Sequence, residues 1–179
     1  MQQPHPTFRP MRRLAQQLSQ EQCDDILRRA TSGTLALLGD NDYPYAVPMS
    51  FVYTRGCLYF HSALHGHKVD ALRAHDKVSF CVIDRDEVVP SRYTTYYRSV
   101  IVFGTLHIVD AAAERLKAAR ALGDKYHPRH EASLQRELAS GLSRMHVLRL
   151  DIGHVTGKQA VELMGKGAIT PDETTHKQY

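Results

Sequence analysis

The sequence has 179 residues, 42% hydrophobic and 23% charged, with a formal net charge of +4. These values are typical of one globular domain and argue against the disordered and membrane-spanning classes. The basic residues are scattered, which disfavours nucleic-acid binding, and a mild positive charge suits an anionic ligand such as a phosphate ester. Cys23, Cys57 and Cys81 lie far apart without a C-x-x-C pair, which argues against a disulfide framework or a thiolate metal site. With no apolar leader at the N-terminus, we expect a cytoplasmic protein.

The first predicted element is a helix that begins after an N-terminal arm. Residues 1–18 are rich in Pro, Gln and Arg and have no sustained periodicity, so we expect an arm. Ser19 and Gln22 form an S-x-x-Q capping box, which predicts the start of a helix. Its apolar stripe consists of Cys23, Ile26, Leu27 and Ala30. We expect this helix to cover one mouth of a β structure that follows.

Three predicted strands follow as an antiparallel meander, at residues 34–38, 43–53 and 57–60, with turns between them. Pro44 and Pro48 cannot donate ladder hydrogen bonds. The second strand is therefore predicted to lie at an edge or to carry a bulge near Pro48.

The central region is predicted to contain a short helix and two strands. The helix begins after Gly66, and the first strand covers residues 78–83. Residues 93–109 predict one long curved strand, with a bend or bulge at Gly104.

The last third predicts two surface helices and a final strand. The helices cover residues 111–122 and 131–142, joined through Gly123, and the strand covers 145–152, with Val147, Arg149 and Asp151 on one face. Residues 165–179 form a polar tail, so the folded domain is predicted to span 19–164. The five or six strands, joined mostly by short turns, favour an antiparallel barrel over a parallel sheet.

The segment at residues 61–68 has the components of a phosphate site. Ser62 can donate a hydrogen bond, Gly66 precedes a helix N-terminus, and Lys68 adds a positive charge. An ordinary polar loop between a strand and a helix would have the same composition, so this segment alone leaves both interpretations open.

The histidines of this segment also suggest a metal site, which we disfavour. His61, His65 and His67 with Asp70 approach an H-x-H-x-x-D pattern, but no further ligand cluster is evident. Nucleophile elbows, P-loops and G-x-G-x-x-G patterns are absent from the sequence.

Four stretches together resemble a known family: residues 44–53 (PYAVPMSFVY), 59–63 (YFHSA), 66–68 (GHK) and 97–104 (YRSVIVFG). Over roughly residues 11–164 the chain resembles the pyridoxamine 5′-phosphate oxidase-like FMN-binding split barrels. Within them it is most similar to the nitroimidazole-resistance (Nim-type) reductase branch. The resemblance implies a mainly β fold with flanking helices, namely a six-stranded antiparallel Greek-key split barrel.

The resemblance also implies a homodimer that binds FMN in two clefts between the subunits, and it assigns cofactor contacts by position. Val47 to Ser50 would run along the isoalloxazine, residues 61–63 and 66–68 would hold the ribityl chain and phosphate, Ser99 and Val100 would contribute from the long strand, and residues 157–159 would reach the cofactor too. The residues carried over are Val47, Pro48, Met49, Ser50, His61, Ser62, Ala63, Gly66, His67, Lys68, Ser99, Val100 and Lys158.

The function implied is FMN-dependent reduction of a small aromatic or nitro compound, with electrons from a nicotinamide cofactor or another donor. His61 is the candidate catalytic residue, to orient substrate or supply a proton; a role confined to binding the cofactor is the alternative. The resembling proteins include oxidases, reductases and binders of flavin, deazaflavin or haem. The fold alone therefore does not decide the cofactor or the reaction. A haem protein with His61, His65 or His67 as axial ligand and a non-catalytic flavin module remain alternatives. No nucleic-acid or membrane partner is expected.

Overall fold

The computed structural model describes residues 8–54 and 56–164. Within them the chain forms seven strands in a single sheet and four α-helices. The strands are β1 (Ser32–Leu38), β2 (Pro44–Ser50), β3 (Val52–Thr54), β4 (Cys57–Ala63), β5 (Lys77–Val89), β6 (Thr94–Ile108) and β7 (Met145–Gln159). The helices are α1 (Gln20–Arg29), α2 (His67–Ala74), α3 (Ala112–Tyr126) and α4 (Glu131–Gly141). The predicted polar tail lies outside the described residues.

Helix α1 begins with the predicted capping box. The Ser19 hydroxyl accepts from the Gln22 backbone N–H at 3.2 Å, and the Gln22 side-chain oxygen accepts from the Ser19 N–H at 2.8 Å. These two bonds satisfy donors that a helix start leaves free. The predicted stripe faces inward, with Cys23, Ile26 and Leu27 buried, and α1 packs against β7 and β3.

The sheet is antiparallel throughout, in the order β2-β1-β5-β6-β7-β4-β3. Strands β2 and β4 lie far apart in this order, yet they touch. The sheet therefore curves round to bring them together, and no ladder joins them in the described part of the chain. We call this contact the β2–β4 seam.

The meander predicted for the first three strands was wrong at residues 43–53, and the predicted six strands are seven. The chain breaks at Phe51 into β2, which pairs with β1, and β3, which pairs with β4. These two short strands lie at opposite ends of the strand order, which raises the count to seven. The prediction of an edge was confirmed, because β2 pairs with β1 alone and its two prolines therefore interrupt no second ladder.

The long strand and its bulge were confirmed. Strand β6 covers Thr94–Ile108, and its register with β7 shifts between Phe103 and Gly104. A Cβ at Gly104 would lie 2.0 Å from the Asp151 carbonyl oxygen, so only glycine permits this approach of the two backbones. Strands β5 and β7 run beyond their predicted ends because cross-strand pairing extends into polar segments, which hydrophobic periodicity does not detect.

The two predicted helices are present, but the connection between them differs from the prediction. Gly123 lies inside α3, which continues to Tyr126. A Cβ there would lie 2.3 Å from Leu134 of α4, so the glycine allows the two helices to approach closely. Val147 shares the face of Arg149 and Asp151 but is fully buried, in a cluster with Val109 and Ala118, since α3 packs over that part of β7.

The core fills the inside of the curved sheet. Three fully buried phenylalanines meet at its centre: the Phe80 ring centroid lies 4.9 Å from that of Phe51 and 5.1 Å from that of Phe60. Side chains that alternate with these inward residues leave an outer face of the sheet available for other contacts. None of the described helices has the length and apolar character needed to cross a membrane.

Candidate functional site

The candidate site lies where β4 ends and α2 begins. His61 and Ala63 are exposed at the end of β4, whereas Ser62 is 5% exposed and lies on the inward face. The chain then turns through residues 64–66 into α2 at His67. The predicted sequence of strand, loop and helix N-terminus is therefore confirmed for residues 61–68.

The N-terminus of α2 is open toward a ligand. Gly66 is its N-cap, with φ +123°, a conformation that favours glycine, and a Cβ built there has no neighbour within 4 Å. No side chain caps the helix, so the first backbone N–H groups keep their partial positive charge. Such a terminus can accept a phosphate group directly.

Lys68 lies in the first turn of α2 with its ammonium 3.3 Å from the Met49 sulfur. The side chain is half-buried, and this burial lowers the pKa of Lys68. A thioether is a weak acceptor, and no carboxylate of the described residues forms an ion pair with this ammonium. The ammonium is thus partly removed from water without a strong partner, which suits an incoming anion.

A second contact holds α2 against β2 across the β2–β4 seam. The His67 ring stacks on Tyr45 with centroids 4.1 Å apart, and His67 Nε2 lies 3.7 Å from an Asp40 carboxylate oxygen. Sequence reasoning missed Tyr45 and Asp40. The alternation of β2, which places Tyr45 on the same face as Met49, is the signal that could have found Tyr45.

Other predicted residues lie on the outer face of the sheet. Pro48 and Ser50 are exposed there, on the face opposite to Val47 and Met49. Ser99 pairs with Lys158, and both alternate with buried neighbours, so their side chains also lie on the outer face. Val100 is fully buried on the inward face and pairs with Val82 of β5 and Gly157 of β7.

The structure divides the predicted residues into two groups. One group lies along the β2–β4 seam, and the other, Ser99 and Lys158, lies on β6 and β7, of which β7 is the neighbour of β4. Along β7, Lys158 is twelve residues beyond His146, the partner of Ser62, or roughly 40 Å of extended strand. Within one chain Lys158 therefore lies far along β7 from the end of β4, where the candidate site begins.

His61 is exposed beside this site. Its side chain forms no hydrogen bond or ion pair with another described residue, so it is accessible to a ligand. His67 instead faces Tyr45 and Asp40. Within residues 8–54 and 56–164, no three His, Cys, Asp or Glu side chains are placed to hold a metal ion.

The chain belongs to the pyridoxamine 5′-phosphate oxidase family, whose model matches residues 19–159. This match confirms the resemblance and the split-barrel fold, with seven strands in place of six. No curated protein matches the sequence.

Solved structures share the fold. An FAD- and haem-binding protein from Mycobacterium smegmatis is 27% identical, with a TM-score of 0.68 over 82% of this chain and 74% of that one. An FAD-binding protein from Mesorhizobium loti is 26% identical, with a TM-score of 0.57 over 80% and 96%. A candidate 5-nitroimidazole antibiotic resistance protein from Bacteroides thetaiotaomicron is 19% identical, with a TM-score of 0.67 over 80% and 86%.

Proposed function

We propose that this protein is an FMN-binding oxidoreductase that reduces a small aromatic or nitro compound. The observation that carries the proposal is the half-buried Lys68 ammonium, held against a thioether at the uncapped N-terminus of α2. This arrangement fits the terminal phosphate of a flavin mononucleotide, because it offers one full charge and free backbone N–H groups at one place. The two similar proteins described as FAD-binding support a flavin.

The rest of the flavin would lie along the β2–β4 seam. Pro48 and Ser50 offer exposed side chains beside the end of β2, and His61 and Ala63 do the same at the end of β4. A bound flavin supplies the hydride and electron transfer chemistry itself. The chain's residues then need only to hold it, orient the substrate and exclude water.

The active form is proposed to be a homodimer. Ser99 and Lys158 pair with each other far along β7 from the end of β4, and the outer face that carries them can meet the seam of a second copy. Lys158 is placed for such a contact, with its ammonium 5.5 Å from the Tyr97 ring centroid and no carboxylate partner among the described residues. Two identical clefts would follow from the two-fold symmetry.

His61 is the proposed group that orients substrate or supplies a proton. We expect His61→Phe to keep FMN affinity within about twofold and to lower turnover about tenfold, because general acid assistance contributes at least that much. His65→Phe is the matched control, since His65 is also exposed but lies nearer to the helix start. Equal turnover of wild type and His61→Phe would show that His61 takes no part in the reaction.

The reaction is tested by anaerobic stopped-flow with the protein-bound flavin reduced beforehand. A nitroimidazole and a small panel of quinones are mixed with it, and flavin reoxidation is followed. We expect at least one compound to reoxidise the flavin faster than buffer does. Reoxidation at the buffer rate by every compound would refute the reductase proposal and leave a flavin-binding module.

A further inference from the structure

Phe51 is the point at which the chain leaves one end of the sheet and joins the other. Ser50 pairs with β1 and Val52 pairs with β4, but the Phe51 backbone belongs to neither ladder. The residue is fully buried. Its N–H and C=O groups therefore need partners outside the sheet, since unpaired buried backbone groups are costly.

The C-terminal end of α3 supplies those partners. The Tyr126 hydroxyl accepts from the Phe51 N–H at 2.8 Å and lies 2.8 Å from the Phe51 carbonyl oxygen, to which it can donate. The Lys125 ammonium donates to the same carbonyl oxygen at 3.0 Å and lies 4.3 Å from the Phe51 ring centroid. Burial lowers the pKa of Lys125.

The same two side chains reach the start of β1. Lys125 donates to the Ala30 carbonyl oxygen, and the Tyr126 hydroxyl lies within hydrogen-bonding distance of the Thr31 carbonyl oxygen, which competes with that of Phe51 for its single proton. Strand β1 is the single partner of β2 in the described sheet. Lys125 and Tyr126 therefore fix both the end of β2 and the strand on which β2 rests.

This connection leads to the candidate site within two residues. Met49 and Ser50 immediately precede Phe51, and the Met49 sulfur contacts the Lys68 ammonium. We propose that Lys125 and Tyr126 are positioning residues for the flavin cleft: they set the end of β2 against α2 without touching the cofactor. This inference rests on the proposed function.

The first test uses the flavin-free chain and needs no activity. Tyr126→Phe removes the acceptor of the Phe51 N–H. We therefore expect the Phe51 amide proton to exchange with solvent at least about tenfold faster in this variant than in the wild type. Arg120→Gln is the matched control, because Arg120 lies on the same helix but pairs with Glu131 at 2.9 Å. Equal Phe51 exchange in wild type, control and Tyr126→Phe would overturn the proposal.

The second test measures FMN and riboflavin dissociation constants at a temperature at which each variant is fully folded. We expect Tyr126→Phe and Lys125→Met to weaken both flavins about tenfold, because the end of β2 moves for either ligand. Lys125→Arg should restore most of the affinity, and Arg120→Gln should not change it. If Tyr126→Phe does not fold, the flavin affinities of Lys125→Met test the proposal in its place.

The outcomes separate this inference from the proposed function. Faster Phe51 exchange with unchanged flavin affinity would overturn the positioning role alone and leave Lys125 and Tyr126 as structural residues. A wild-type chain that binds no flavin would overturn the proposed function and the positioning role together. Weaker affinity for both flavins, restored by arginine, supports both.

Discussion

Replacing Lys68 with methionine is expected to weaken FMN binding about tenfold to a hundredfold, or 1.5–3 kcal/mol, the usual contribution of a charge-assisted hydrogen bond. Methionine keeps an unbranched apolar side chain beside Met49 and is one atom shorter than lysine, so the loss reports mainly the charge. Riboflavin, which lacks the phosphate, should bind the variant and the wild type about equally. Fluorescence titrations with both flavins measure the two affinities.

Lys77→Met is the control for Lys68→Met. Lys77 is also a lysine near α2, but its ammonium donates to the Thr105 hydroxyl at 2.7 Å on an exposed part of β5 and β6. This variant should bind FMN like the wild type. Equal losses of FMN and riboflavin affinity in Lys68→Met would place Lys68 away from the phosphate.

Gly104→Ala is expected to destabilise the fold by roughly 2–4 kcal/mol, through overpacking that side-chain movement cannot relieve. The new Cβ would lie 2.0 Å from the Asp151 carbonyl oxygen and 2.9 Å from a Leu150 methyl group. The first of these atoms belongs to the backbone of β7. The two strands would therefore have to move apart at the bulge. Urea denaturation of the flavin-free protein gives the free energy of unfolding.

Gly153→Ala provides the matched control at the same bulge. Its Cβ would have its nearest neighbour, the Phe103 carbonyl oxygen, at 3.6 Å, which is ordinary contact. We expect a change within about 0.5 kcal/mol. If both variants were destabilised equally, the close approach at Gly104 would not be the cause.

Local features of the fold could be predicted from the sequence because neighbouring residues decide them. The capping box of Ser19 and Gln22 closes within one turn, and the glycine at position 104 marks the bulge by lacking a side chain. The break at Phe51 could not be predicted in this way. Residues 43–53 carry a strand-like pattern throughout, and the choice of β1 or β4 as partner depends on segments distant in the chain.

In the candidate site, too, some features could be predicted from neighbouring residues and others depend on segments distant in the chain. The segment from His61 to Lys68 is continuous, so its strand, loop and helix start could be predicted from spacing alone. The Met49 sulfur beside Lys68 and the Tyr45 ring on His67 result from folding the sheet until β2 meets α2. Lys125 and Tyr126 carry no sequence signal, because their partners are backbone groups of a buried corner.

The most direct test of the proposed flavin is the absorption spectrum of the purified protein, with chromatography of the cofactor that it releases on denaturation. We expect flavin bands near about 450 nm and FMN as the released compound, bound at about one per chain. A Soret band near about 400 nm without flavin would indicate a haem protein instead. A colourless protein that takes up neither FMN nor FAD on reconstitution would contradict the proposal of a flavoprotein.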